Sequence, residues 1–285
     1  MKTAIIGANG QLGRDLISLL DGEVIPVSRA DADFTDHAAM RAKLTELAPQ
    51  IVINCAAYNL VDKAESVPAD ALAVNTWAAK NLAEVCRDLK ARLVHFSTDY
   101  VFGFDSQRDR PFGEDDLPGP VSNYGLSKLA GEYAIRAVLP EALIIRTCGL
   151  YGRHGVGGKG GNFVETMKRI GRERGAVKVV NDQRCTPTST VDLGQATVRL
   201  LKTSASGIVH ITNTGSCTWF EFATEIFRLT GLSVQVTPIT SAEFGAAARR
   251  PPYSVLDTRR YSEFTNETMP RWEDALARYT QSGQE

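Results

Sequence analysis

The sequence predicts an α/β fold: a parallel sheet covered by helices on both faces, carrying a smaller mixed α/β region. Three observations predict it. Short β-branched runs alternate with longer helix-compatible stretches through the first 150 residues, the rhythm of right-handed strand–helix–strand crossovers. The strand runs are apolar almost end to end, as strands buried on both faces must be. A glycine-spaced turn, GANGQLG, joins the first run to the first helix.

The elements follow in order. KTAIIG is the first strand and QLGRDLISLLD the first helix; GEVIPVS and DHAAMRAKLTELA are the second pair. QIVINCAA is the third strand, and PADALAVNTWAAKNLAEVCRDLK reads as one long helix leading to ARLVHFSTD, the fourth. VSNYGLSKLAGEYAIRAVL is the next helix and ALIIRTCGLY the fifth strand.

Past residue 150 the rhythm changes. GRHGVGGKGGN is dense in glycine and reads as a mobile loop, a lid that could close over a pocket through His154 and Lys159. FVETMKRIGRERG is a helix, VKVVND a strand, and TPTSTVDLGQATVRLLK a helix that Ser189 or Thr190 could cap. GIVHIT, TWFEFATEIFRLTG (closed by Gly231) and VQVTPIT give a strand, a helix and a strand. Residues 1–150 therefore form one region and residues 151–285 mainly a second, with part of 185–210 packed on the first.

Composition excludes several functions. Thirty-two basic and thirty-three acidic residues in a chain of 285 leave a net charge of −1, which argues against nucleic acid or an anionic membrane as the main partner. The opening MKTAIIGANG has too short an apolar run for a secretion signal, and no stretch approaches the roughly 20 apolar residues of a spanning helix. Five cysteines (Cys55, Cys86, Cys148, Cys185 and Cys217) are scattered and lack metal-ligand spacing. Inert core thiols in a reducing cytoplasm are the expectation, with no metal.

GANGQLG places Gly7, Gly10 and Gly13 between the first strand and the first helix. Glycine permits the tight turn and lets backbone approach a pyrophosphate at a helix N-terminus. This makes the first region a dinucleotide-binding, Rossmann-type sheet. An NAD-selective site usually ends its second strand in an acid that receives the adenosine ribose hydroxyls. Here Ser28 and Arg29 stand there, a hydroxyl and a guanidinium better suited to a 2′-phosphate. NADPH is therefore expected, with NADH the alternative; Asp33 and Phe34 follow within reach of the adenine. Small Ala56 and Ala57 after the third strand leave room for the cofactor to cross the sheet edge.

The fourth strand ends at Ser97, Thr98 and Asp99 on that same edge. The next helix carries Tyr124 and Lys128 four residues apart, one turn, so both project from one face. A hydroxyl, a phenol and an ammonium around a nicotinamide site constitute a proton-transfer set. A phenol of ordinary pKa near 10 needs a neighbouring cation to exchange protons near neutrality.

These residues resemble the extended short-chain dehydrogenase/reductase family, with its G-x-x-G-x-x-G and later Y-x-x-x-K. Within it, GANGQLG, AAYNLVDKAE, STDYVF, YGLSKLAGE, NFVETM, VVNDQRCTPT, TWFEFA and ARRPPYSVLD are similar to the dTDP-4-dehydrorhamnose reductase subgroup across most of the chain. The resemblance implies NAD(P)H-dependent reduction of a 4-keto nucleotide-activated deoxysugar. It implies cofactor contacts from Gly7, Asn9, Gly10, Gln11, Leu12 and Gly13, from Ala56, Ala57 and Tyr58, and from Tyr124 and Lys128. Tyr124 would donate the proton to the carbonyl oxygen, Lys128 would hold the nicotinamide ribose and favour the tyrosinate, and Thr98 would hydrogen-bond the substrate. Asp99, Phe102, Asn162 and Arg250 would join the substrate side, with Arg249 and Arg250 near the diphosphate. A homodimer is compatible with the resemblance.

Two departures fall on the substrate side. The subgroup usually has tryptophan after RTC, where this chain has Gly149, and the glycine-rich segment after it is longer than usual. Two alternatives follow: a reductase of another 4-keto nucleotide sugar or of opposite stereochemistry, and a non-catalytic dinucleotide-binding subunit. An epimerase fits less well, because Ser28 replaces the acid that retained NAD favours.

Overall fold

The structure, a computed structural model, describes residues 1–154 and 161–281. Six parallel strands form the central sheet: β1 (Lys2–Ile6), β2 (Glu23–Val27), β3 (Ile51–Asn54), β4 (Arg92–Thr98), β5 (Leu143–Thr147) and β6 (Gly207–His210). Their spatial order is β2-β1-β3-β4-β5-β6. The chain steps outward from β1 to β2, then crosses back to β3 on the other side. The carboxyl ends of β1 and β3 thus flank a switch point, where open sheets of this kind bind ligands.

Alternation of side chains sorts the sheet into two apolar faces. Ile5, Ile53, Val94, Phe96, Ile145 and Val209 pack under α1 (Gln11–Leu19) and, later in the chain, the helix Thr190–Leu201. Ala4, Ile6, Val52, Leu93 and Ile144 face α2 (His37–Leu47), α3 (Ala79–Leu89) and α4 (Asn123–Val138). Ser122 caps α4, its hydroxyl accepting from Gly125 N–H at 3.2 Å.

The long helix expected over 68–90 is divided. A short helix Pro68–Leu72 runs through a π turn, Ala73–Ala78, into α3. The turn has a use: it aims Asn75 at the backbone of Tyr58, whose N–H and C=O it both engages at 2.9 Å. Asn75 and Thr76 also hold Ser127 of α4. Gly131 lets the helices meet, since a Cβ there would lie 2.1 Å from Asn75 O.

The second region has its own apolar cluster. Tyr151, Val164, Met167, Phe222, Ile226 and Trp272 pack among α5 (Phe163–Arg174), the helix Trp219–Thr230 and the helix Trp272–Gln281. Ala176–Val180 pairs in parallel with Gln235–Ile239. The chain returns to the main sheet through Thr190–Leu201 and β6. Ser189 stands at that helix's N-cap but makes no capping bond, and the Thr190 hydroxyl donates instead to Tyr151 O at 3.2 Å. No helix among the described residues is long and apolar enough to cross a membrane.

Candidate active site

The glycine turn sits at the switch point. Gly7 has φ +76°, and a Cβ on it would lie 2.7 Å from Ala56 N. A Cβ on Gly13 would lie 2.6 Å from Gly7 O. The turn therefore closes tightly against β3 and α1 at once. Gly10 is the N-cap of α1 and no side chain caps that end, so its first N–H groups are left for an anion. Asn9 is exposed and Leu12 buried, leaving the Leu12 backbone as its means of contact. The residues present fit a dinucleotide pyrophosphate.

At the end of β2 the selectivity residues are engaged with carboxylates. Asp31 accepts from Ser28 N–H at 2.8 Å and from the Ser28 hydroxyl at 2.6 Å. These bonds hold its pKa below the usual range. Arg29 pairs with Asp33 at 3.0 Å, while Asp33 accepts from both Thr35 donors. Phe34 packs against the α2–α3 face. Asp31 was not among the sequence candidates, because three residues separate it from the strand end.

β4 delivers Thr98 and Asp99, and α4 delivers Tyr124 and Lys128, to one place. Thr98 Oγ1 lies 3.1 Å from Asp99 Oδ1, accepts from Tyr100 N–H at 3.2 Å, and hydrogen-bonds the Tyr124 hydroxyl. The Tyr100 ring meets Tyr124 edge-on, centroids 5.7 Å apart. Asp99 also accepts from Ser254 Oγ at 2.5 Å and bonds the Cys148 thiol; burial outweighs these donors and raises its pKa to about 6.

Lys128 is only 2% exposed. Its Nζ donates to Phe96 O at 2.6 Å and lies 3.3 Å from His95 Nε2. Burial lowers its pKa to about 8, against the pull of Glu132 one turn on. Burial dominates and pushes Tyr124 up to about 12, with the Thr98 bond opposing.

Three substrate-side candidates have these surroundings. Phe102 is fully buried, stacked on Phe112 at 4.1 Å with Arg146 over its ring; it is a packing residue. Asn162 caps α5, accepting from Glu165 N–H at 3.0 Å and donating to Gly152 O and Tyr279 OH, so its amide serves the chain itself. Arg250 pairs with Asp62 at 2.8 Å and hydrogen-bonds Tyr100. It lies beside Tyr100, the neighbour of Thr98 and Asp99, whereas Arg249 is exposed.

Gly149 has φ +54°, and a Cβ on it would lie 3.3 Å from the Trp219 ring and 3.2 Å from Pro187 Cα. Trp219, from the distant TWFEFA segment, thus brings an indole to the position where the sequence lacks one. His154 Nε2 lies 3.6 Å from Asp15 Oδ1; residues 155–160, with Lys159 and most of the expected lid, lie outside the described residues. Among the described residues no cluster of three His, Cys, Asp or Glu side chains suits a metal ion.

The family model described as the RmlD substrate binding domain matches residues 1–284. The chain belongs to that family. A dTDP-4-dehydrorhamnose reductase of Streptomyces griseus is 43% identical, covering 95% of this chain and 90% of its own. A dTDP-4-keto-6-deoxy-D-glucose reductase of Streptomyces niveus is 41% identical, covering 95% and 94%. The solved dTDP-4-dehydrorhamnose reductase of Bacillus anthracis, in complex with NADP, is 40% identical with a TM-score of 0.92, covering 99% and 100%.

Proposed function

We propose that this RmlD-family chain reduces the 4-keto group of a dTDP-linked 6-deoxyhexose with NADPH, converting dTDP-4-dehydro-L-rhamnose to dTDP-L-rhamnose. The hydrogen-bonded Thr98–Tyr124 pair, at the sheet edge beside the uncapped turn of α1, carries the reading. Relatives at about 40% identity over nearly the whole chain support the substrate class. When bound, NADPH supplies the hydride.

The chain's own residues supply everything else. The α1 N-terminus and Gly7–Gly13 backbone hold the pyrophosphate, and Ser28 with Arg29 takes the 2′-phosphate. Tyr124 donates its proton to the oxygen that gains negative charge at C4. Thr98 stabilises the tyrosinate left behind by turning its hydroxyl from Asp99 to the phenolate. Lys128, one turn away, would hold the nicotinamide ribose. Residues from 151 onward supply most of the sugar-nucleotide side, with Trp219 as its aromatic surface.

A second reading, reduction of a different 4-keto nucleotide sugar, is favoured by the near-equal identity to the Streptomyces niveus dTDP-4-keto-6-deoxy-D-glucose reductase. Oxidation of NADPH across a panel of 4-keto nucleotide sugars, with NMR identification of the products, separates the two. Absence of turnover with every dTDP-linked ketosugar would exclude both.

A further inference from the structure

Asn54 and His95 face each other across β3 and β4, on the side of the sheet that α4 covers. Both are buried, and neither is explained by packing. The Ala56 N–H donates to Asn54 Oδ1 at 3.0 Å. That bond orients the amide: Nδ2 then points at His95 Nδ1, 2.9 Å away, and an amide nitrogen can only donate. His95 Nδ1 must therefore accept. Burial and the neighbouring Lys128 keep the ring neutral, so its proton resides on Nε2.

Nε2 faces Lys128 Nζ at 3.3 Å. An ammonium has three donors and no acceptor, so it cannot bond to Nε2–H. A neutral amine can accept that proton while donating its own N–H to Phe96 O.

We propose that Asn54 and His95 are positioning residues that select the protonation state of Lys128: the Ala56–Asn54–His95 chain presents Nε2–H and favours the amine. Formation of the ammonium requires the ring tautomer and the Asn54 amide to reverse together. Reversal takes the acceptor from Ala56 N–H, the group that a Cβ on Gly7 would strike. The proton on Lys128 is thereby tied to the edge that holds the cofactor. This rests on the reductase reading only in giving Lys128 its place beside the nicotinamide.

The charged groups around Lys128 do not replace this control. Tyr124 and Glu132 lie one turn to either side on α4. Glu132 favours the ammonium, but Arg146 of β5 neutralises it at 2.7 Å and Ser97 of β4 donates to it at 2.5 Å. Asp99 lies beyond Tyr124, and the π turn contributes only uncharged Asn75 and Thr76.

The first test is ¹⁵N NMR of the His95 ring in the full chain. A pyridine-like Nδ1 and a protonated Nε2 are expected at pH above the Lys128 titration, where the amine prevails; a protonated Nδ1 throughout the titration would overturn the proposal. This readout needs no turnover, so it stands apart from any failure of the reductase reading. The second test is His95→Gln, whose amide can turn its carbonyl toward Nζ. Losing the Nε2–H donor stabilises the ammonium, so the alkaline limb of the kcat profile should move up by about one pH unit, with KM for the sugar nucleotide unchanged. An unmoved limb in the folded variant would equally overturn it.

Discussion

The two edges of the candidate site solve the placement of charge in opposite ways. At the end of β2, Arg29 is 86% exposed and its pair with Asp33 lies in solvent; such pairs contribute about 0–1 kcal/mol and exchange partners readily. Beneath Tyr124, Glu132 and Arg146 are 2% and 3% exposed, joined by two bonds of 2.7 and 2.9 Å and closed by Ser97. Burial makes this second pair costly to break and fixes its geometry. The exposed edge is thus suited to selecting among ligands. The buried edge is suited to holding a proton-transfer set still.

The largest effect is expected where the buried edge meets the chemistry. Tyr124→Phe removes one hydroxyl from a site whose Thr98 partner is otherwise kept by Asp99 and Tyr100 N–H. General acid catalysis contributes about 10²–10⁴-fold, and turnover should fall by that order while NADPH binding persists. Stopped-flow hydride transfer and a cofactor titration measure the two separately. Near-normal turnover would take Tyr124 out of the mechanism.

The next effect is structural. Arg146→Met leaves Glu132 buried with only Ser97 as a donor, and stability should fall by about 3–5 kcal/mol. Urea unfolding would register it as a lower midpoint at unchanged slope. The double variant Glu132→Leu with Arg146→Met should recover most of the loss, since the orphaned charge is then gone. A single variant as stable as the unaltered protein would mean that the buried pair contributes nothing, and the contrast between the two edges would collapse.

This contrast also marks what the sequence makes legible. The parallel sheet, the glycine turn and the Tyr124–Lys128 spacing follow from local periodicity, which survives folding. Asn54, His95, Ser254 and Cys148 meet the candidate residues Asp99 and Lys128 only through strand register or long-range packing, and nothing in their local sequence marks them. Phe102 departs in the other direction: it shares STDYVF with Thr98 and Asp99, but its ring turns inward onto Phe112. The division of the 68–90 helix was hidden for a related reason, because its π turn answers to Tyr58 and Ser127 rather than to the helix's own sequence.

The smallest effect belongs to the exposed edge. If Arg29 receives the 2′-phosphate, it must first leave Asp33, so part of the gain from a charge-assisted bond is offset. A hydrogen bond to a charged group contributes about 1.5–3 kcal/mol, and the exposed pair given up about 0–1. Arg29→Ala should therefore narrow the preference for NADPH over NADH by roughly tenfold, read as the ratio of Kd values from fluorescence titration. Asp33→Asn should act in the opposite direction, because Arg29 is then released to the phosphate without a competitor. Ser28 gives its one O–H to Asp31, so a preference that survives in Arg29→Ala requires that bond to pass from Asp31 to the phosphate. Equal affinity of the unaltered protein for both cofactors would show that the Asp31 and Asp33 carboxylates, and not Arg29, set the charge that the ribose meets.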